Sequence, residues 1–155
     1  MTSSPPNFLV DTDLFPLCHA LRMLGFDALH AGNLTLKQAL DHALEEHRVW
    51  VRKRTDRLPL QYGIRYFLVS SEKLVEQLHE LDQAFLLRDQ MRPLSRCLKC
   101  NAVITELPVV QAQKQVPPGI LKIHHEFYQC PLCRRIYWPG SHWKRMQERL
   151  VNWGF

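Results

Sequence analysis

Two Cys-x-x-Cys pairs, Cys97/Cys100 and Cys130/Cys133, constrain this chain more than any other feature. Each short knuckle can offer two sulfurs to one tetrahedral ion, and two knuckles together complete a four-sulfur shell. The spacing predicts a small ribbon folded round a structural Zn²⁺. Such an ion is not expected to be catalytic, because four protein sulfurs leave no coordination position for water. Reversible redox dithiols would account for one pair but not for two in a reducing compartment, and an iron–sulfur cluster is the lesser alternative. The fifth cysteine, Cys18, falls on an apolar helical stripe and reads as a core residue.

A ribbon of this kind uses only part of 155 residues, and the rest carries α/β punctuation. Phe8-Leu9-Val10 reads as a buried strand ending at Asp11. Leu14, Leu17, Cys18, Leu21 and Leu24 recur at helical spacing, with Pro16 in the first turn and Gly25 as terminator. A second strand is predicted over Phe26 to His30. Thr35-Leu36-Lys37-Gln38 has the spacing of a capping box opening a helix to about His47. Arg48 to Arg52 reads as the third strand, residues 53–64 as a basic loop, and Tyr66 to Val69 as the fourth strand. Ser70-Ser71 is then expected to cap a helix carrying Leu74, Leu78 and Leu81.

The order β-α-β-α-β-β-α with fully apolar strands predicts an α/β fold, a mainly parallel sheet flanked by helices on both faces. Residues 1–95 are expected to form this domain and residues 96–155 the zinc ribbon with a C-terminal helix. Hydrophobic residues at 46% and charged residues at 23% suit a chain with a packed core. No run approaches the ~20 apolar residues needed to cross a bilayer. Met1 to Asn7 also lacks the basic and apolar regions of a secretory signal, so the expected setting is intracellular, cytoplasmic or nuclear, without a membrane partner.

The net charge of +5 is uneven: residues 1–96 carry 12 basic and 12 acidic side chains, residues 97–155 carry 8 and 3. A zinc site of four thiolates contributes minus two, which leaves the C-terminal part at about +3. Its densest stretch, Arg134 to Met146, interleaves Arg134, Arg135, Lys144 and Arg145 with Tyr137, Trp138, His142 and Trp143. Cations neutralise phosphates while exposed rings stack on unpaired bases, so these residues are candidates for single-stranded RNA. The alternative for Trp138 and Trp143 is packing over the metal site, and for His142 a packed or capping role. A second cationic group, Arg52, Lys53, Arg54 and Arg57, follows the third strand at an end where ligands of parallel sheets gather.

The sequence resembles the PIN-like ribonuclease domain with an embedded zinc ribbon found in Mutator-seven type 3′-5′ exoribonucleases and in bacterial stand-alone proteins. The resemblance rests on Phe8-Leu9-Val10-Asp11, Leu21-Arg22-Met23-Leu24-Gly25-Phe26-Asp27, Arg96-Cys97-x-x-Cys100-Asn101, Val116-Pro117-Pro118 and Tyr137-Trp138-x-Gly140-Ser141-His142-Trp143. It implies RNA as ligand or substrate, an exonuclease domain in the same or an associated chain, and a connection with RNA silencing. It also implies acidic residues that hold Mg²⁺ or Mn²⁺ for phosphodiester hydrolysis. Asp11 matches the first of those acids, but Gln38 and Arg54 stand where two others are usual. Asp13, Asp27, Asp41 and Asp56 are the carboxylates available to compensate, with Asp13 and Asp41 better read as solvated or capping. On the first helix Phe15, Pro16, His19 and Ala20 depart from the family's surface pattern, which frees this face for another use.

These departures favour an RNA-binding accessory domain whose Asp11 is vestigial or weak as a catalytic residue, with an arginine in the former metal site. Two alternatives stand beside it: an active Mg²⁺- or Mn²⁺-dependent ribonuclease, and a protein-interaction module that localises a nuclease.

Overall fold

The computed structural model describes residues 4–57 and 63–155. Four strands, β1 (Phe8–Val10), β2 (Ala28–His30), β3 (Val49–Lys53) and β4 (Arg65–Val69), form a parallel sheet in the order β2-β1-β3-β4. Register places Leu9 opposite Leu29 and Trp50, and Val10 opposite Val51. Alternation sends Phe8, Val10, Val49, Val51 and Val69 to one face and Leu9 and Trp50 to the other. Both faces are buried, which is why the strands read as continuous apolar runs.

Helices α1 (Phe15–Met23) and α3 (Leu74–Phe85) cover the first face through Leu17, Leu21, Leu78 and Leu81. Helix α2 (Leu36–Glu45) covers the second through Ala39 and Ala43. The capping box at its start is present: Thr35 Oγ1 accepts from Gln38 N, and Gln38 Oε1 accepts from Thr35 N. Gly25, with φ +93°, ends the first helical unit against Arg92; a Cβ there would lie 2.1 Å from the Arg92 carbonyl oxygen. Cys18 is fully buried, and burial pushes its thiol up to about 11, as befits an inert core cysteine.

The serine cap is corrected. Lys73 occupies the N-cap of α3 and no side chain caps it. Ser70 and Ser71 instead donate their backbone N–H groups to Glu80, and the Ser71 hydroxyl donates to Glu76. Carboxylates reaching back from the helix take up these donors, so the serines form the turn before it. The stretch 58–62 of the basic loop lies outside the described residues.

Beyond the short helix α4 (Leu87–Gln90), the chain builds the ribbon: β5 (Thr105–Glu106), α5 (Val109–Ala112), α6 (Pro118–Leu121), β6 (Tyr128–Gln129) and β7 (Ile136–Tyr137). Its three strands form an antiparallel sheet in the order β5-β6-β7. Leu107, Ala112, Val116 and Phe127 make its own small core. The final helix, α7 (Ser141–Asn152), returns to the first domain: Met146 and Leu150 are buried in the α/β core, and Trp143, Trp153 and Phe155 pack against it. Among the described residues no helix is long and apolar enough to cross a membrane.

Candidate metal centre and nucleic-acid interface

The four predicted cysteines converge. Their sulfurs all lie within 4.8 Å of one another, and the Cys97–Cys133 pair is 3.7 Å apart. A tetrahedral shell with zinc–sulfur bonds of ~2.3 Å separates its sulfurs by about 3.8 Å. The two knuckles have the same backbone form. Cys100 N donates to Cys97 Sγ and Cys133 N to Cys130 Sγ, and the next residues, Asn101 and Arg134, turn left-handed at φ 65° and 62°. Burial opposes the Cys97 thiolate, but the Tyr137 hydroxyl, which donates to this sulfur at 3.1 Å, and neighbouring N–H groups bring its pKa down to about 6. Burial and the adjacent sulfurs push Cys100 up to about 12. Like charges thus compete inside the cluster, and a divalent cation at its centre would remove the conflict.

The first knuckle is tied to the α/β domain by buried polar groups. Arg22 Nε donates to Ala28 O, while its Nη1 donates to the carbonyls of Leu98 and Lys99 at 2.9 and 3.0 Å. Asn101 accepts from Ala28 N and donates to Asp27, which also accepts from Arg48 at 2.6 Å. Burial works against the Asp27 carboxylate, yet the hydrogen bonds from Arg48 and Asn101 hold it below the usual range. Arg96 adds a bond to Gly25 O. Asp27 precedes β2 and serves this joint, at the opposite end of the sheet from Asp11; it is not available to compensate for a missing metal ligand.

At the C-terminal ends of the strands, Asp11 Oδ2 lies 3.1 Å from Arg52 Nε, and Asp56 Oδ2 lies 3.7 Å from the same nitrogen. Arg52 is also 5.2 Å from the centre of the Trp50 ring and donates to Arg57 O. Lys53 pairs with Glu72, and its backbone N–H is taken by Asp56. The arginine beside Asp11 is therefore Arg52, the penultimate residue of β3, and not Arg54, which lies past the strand end and is exposed. Gln38 is committed to its capping box. Asp41 pairs with Lys37 on the exposed face of α2. Among the described residues, the four cysteines are the only group of three or more potential ligands placed to hold a metal ion.

The interleaved stretch divides by residue type. Trp143 stacks on Tyr128 with ring centres 6.1 Å apart, and Trp138 packs near Phe127; both are half-buried. Arg134, Arg135, Lys144 and Arg145 are exposed and make no ion pair among the described residues. His142 is exposed and lines an apolar cleft of about 400 Å³ with Trp138 and Trp143.

A family model for the Mut7-C RNAse domain matches residues 6–150. The chain belongs to that family. No curated protein and no solved structure matches it significantly. Membership makes this a PIN-like, ribonuclease-related α/β domain with a cysteine cluster suited to zinc, as the sequence resemblance implied. The motif segments that carry the Mut7-C resemblance meet in space: Arg22 to Asp27 holds the knuckle Arg96 to Asn101, and Tyr137 reaches Cys97. In this Mut7-C RNAse domain, the joint residues Arg22 and Asn101 stood in the motif segments of the resemblance, but the sequence assigned them no role. A signal existed for Arg22, which lies four residues after Cys18 and so shares the buried stripe of α1.

Proposed function

We propose that this chain is an RNA-binding accessory domain that does not cleave RNA, folded round one structural Zn²⁺ held by Cys97, Cys100, Cys130 and Cys133. It serves an exonuclease domain in the same or an associated chain. The ribonuclease-related family supports RNA as the ligand class. The observation that carries the loss of cleavage is the Arg52 guanidinium seated against Asp11 and Asp56. Hydrolysis by a PIN-like site requires carboxylates that converge on Mg²⁺ or Mn²⁺, which activates water and stabilises the leaving oxygen. Here a fixed monovalent cation takes that charge, and both partners are largely shielded: Arg52 is 15% exposed and Asp11 21%. The zinc ion would cross-link the two knuckles and supply folding energy rather than chemistry.

Single-stranded RNA incubated with the zinc-loaded chain and either Mg²⁺ or Mn²⁺ should remain intact, and Asp11→Asn should leave RNA affinity within about twofold. Cleavage that requires the divalent ion and disappears in Asp11→Asn would replace this reading with an active ribonuclease.

A further inference from the structure

We propose that the cleft between α1, the two knuckles and α7 is a binding site for one phosphorylated nucleotide of RNA. This deepens the RNA-binding reading and rests on it for the identity of the polymer. The cleft encloses about 520 Å³, within the ~300–1,000 Å³ typical of small-ligand sites. Three segments bring cations to it: Lys99 from the first knuckle, Arg135 beside the second, and Arg149 from α7. No acidic residue lines it, and among the described residues none of these three cations has an ion-pair partner.

His19 sharpens the chemistry. It lies on the wall formed by α1, where burial and then the positive charges of Arg22 and Arg149 hold its pKa down. Its neutral imidazole can donate one hydrogen bond to a phosphoryl oxygen without adding to the repulsion already there. Converging cations without a counter-ion repel one another, and an anion bound between them relieves this.

Phosphate alone would leave the other lining unused. Phe15 is 54% exposed, with its ring centre 6.3 Å from that of His19 and 5.2 Å, edge-on, from that of His30, so one surface of a large apolar ring is open at the cleft. Tyr137 supplies a second ring, fixed by its hydroxyl on Cys97. Rings beside cations match a nucleotide: phosphate on the charged wall, base against the aromatic surface. Neither an inorganic anion nor an acidic peptide uses both.

The test measures binding of adenosine 5′-monophosphate, adenosine, inorganic phosphate and an oligoglutamate peptide to the full zinc-loaded chain, and competition of each against fluorescent single-stranded RNA. Adenosine 5′-monophosphate should bind at least about tenfold tighter than the other three and displace RNA. Lys99→Gln and Arg149→Gln should each weaken it about five- to tenfold at unchanged zinc content. If Lys99→Gln, lying between two ligands, loses zinc, Arg149→Gln on the exposed side of α7 carries the test. Phe15→Ala should weaken the nucleotide but not phosphate. Equal binding of nucleotide and phosphate or peptide, or indifference to Arg149→Gln and Phe15→Ala, would overturn the proposal. RNA that binds but is not displaced by the nucleotide would overturn it while leaving RNA binding intact. Nucleotide binding with no RNA binding would support the cleft and remove the RNA reading.

Discussion

At the C-terminal ends of the parallel strands, Arg52 and Lys53 are held by Asp11, Asp56 and Glu72, whereas Arg134 and Arg135 of the ribbon and Lys144 and Arg145 at the start of α7 face solvent without a carboxylate partner among the described residues. The two stretches look alike in sequence. Their difference is one of supply, since residues 97–155 contain only three acids to pair with eight bases. A cation already hydrogen-bonded to a carboxylate must lose that partner before it can neutralise a phosphate. A solvated one gives up only water and counter-ions. Local positive charge is therefore a poor guide to an RNA surface until its pairing is known.

The largest effect should come from removing one side of this contrast. Chelation of the metal, or Cys→Ser in either knuckle, should unfold the ribbon and abolish RNA binding while the sheet keeps most of its helical signal. Structural zinc contributes ~10 kcal/mol or more to a site of this kind, beyond what the small ribbon core can replace. Elemental analysis should find one zinc ion per chain. A melting curve indifferent to chelator would break the argument at its base.

A smaller effect should follow from charge reversal. Arg134, Arg135, Lys144 and Arg145 changed to Glu should lower RNA affinity steeply and reduce the magnitude of the salt slope by roughly 0.7 for each phosphate that is no longer neutralised. The same change at Arg52 and Lys53, the paired members of the other group, should cost less affinity but lower the melting temperature, because it puts new carboxylates against Asp11, Asp56 and Glu72. Equal losses in the two variants would erase the distinction between paired and free cations. No change in either would leave the domain as a protein-interaction module.

The smallest effect concerns the joint between the two regions. Asp27 has a depressed pKa in the folded chain, so its contribution is present above its unfolded value of ~4 and is lost as pH falls through the lower folded one. Asp27→Asn should cost about 1–2 kcal/mol at pH 7, in line with a hydrogen bond to a charged group. That difference from the parent chain should fade below about pH 4. Denaturant titrations at pH 7 and pH 3 check it; a penalty that persists unchanged at pH 3 would assign the effect to packing.

The α/β half was legible because its signals are long or redundant. Strands such as Val49–Lys53 are apolar on both faces, and α1 carries an unbroken stripe from Leu17 to Leu24. The Thr35–Gln38 box marks where α2 begins. In the ribbon, strands of two residues and helices of four are too short to show any period, so the cysteines and the motif segments were readable there but the elements were not. The choice between Arg52 and Arg54 depends on where β3 stops, a boundary that alternation cannot locate. Ser71 has the side chain of a cap, but Glu76 and Glu80, a turn or more further on, decide the form of the turn.

The chain leaves the α/β core after α4 and re-enters it at α7, where Met146 and Leu150 are buried and Trp153 and Gly154 bond to His79 and Arg88. The ribbon is thus an excursion with both ends anchored, not a tail. Stripped of its metal, it would become a tethered loop, whose entropic cost rises only with the logarithm of its length. The cysteines would then stay at high effective concentration for one another, so recapturing an ion becomes a search within one loop rather than a refolding of the molecule.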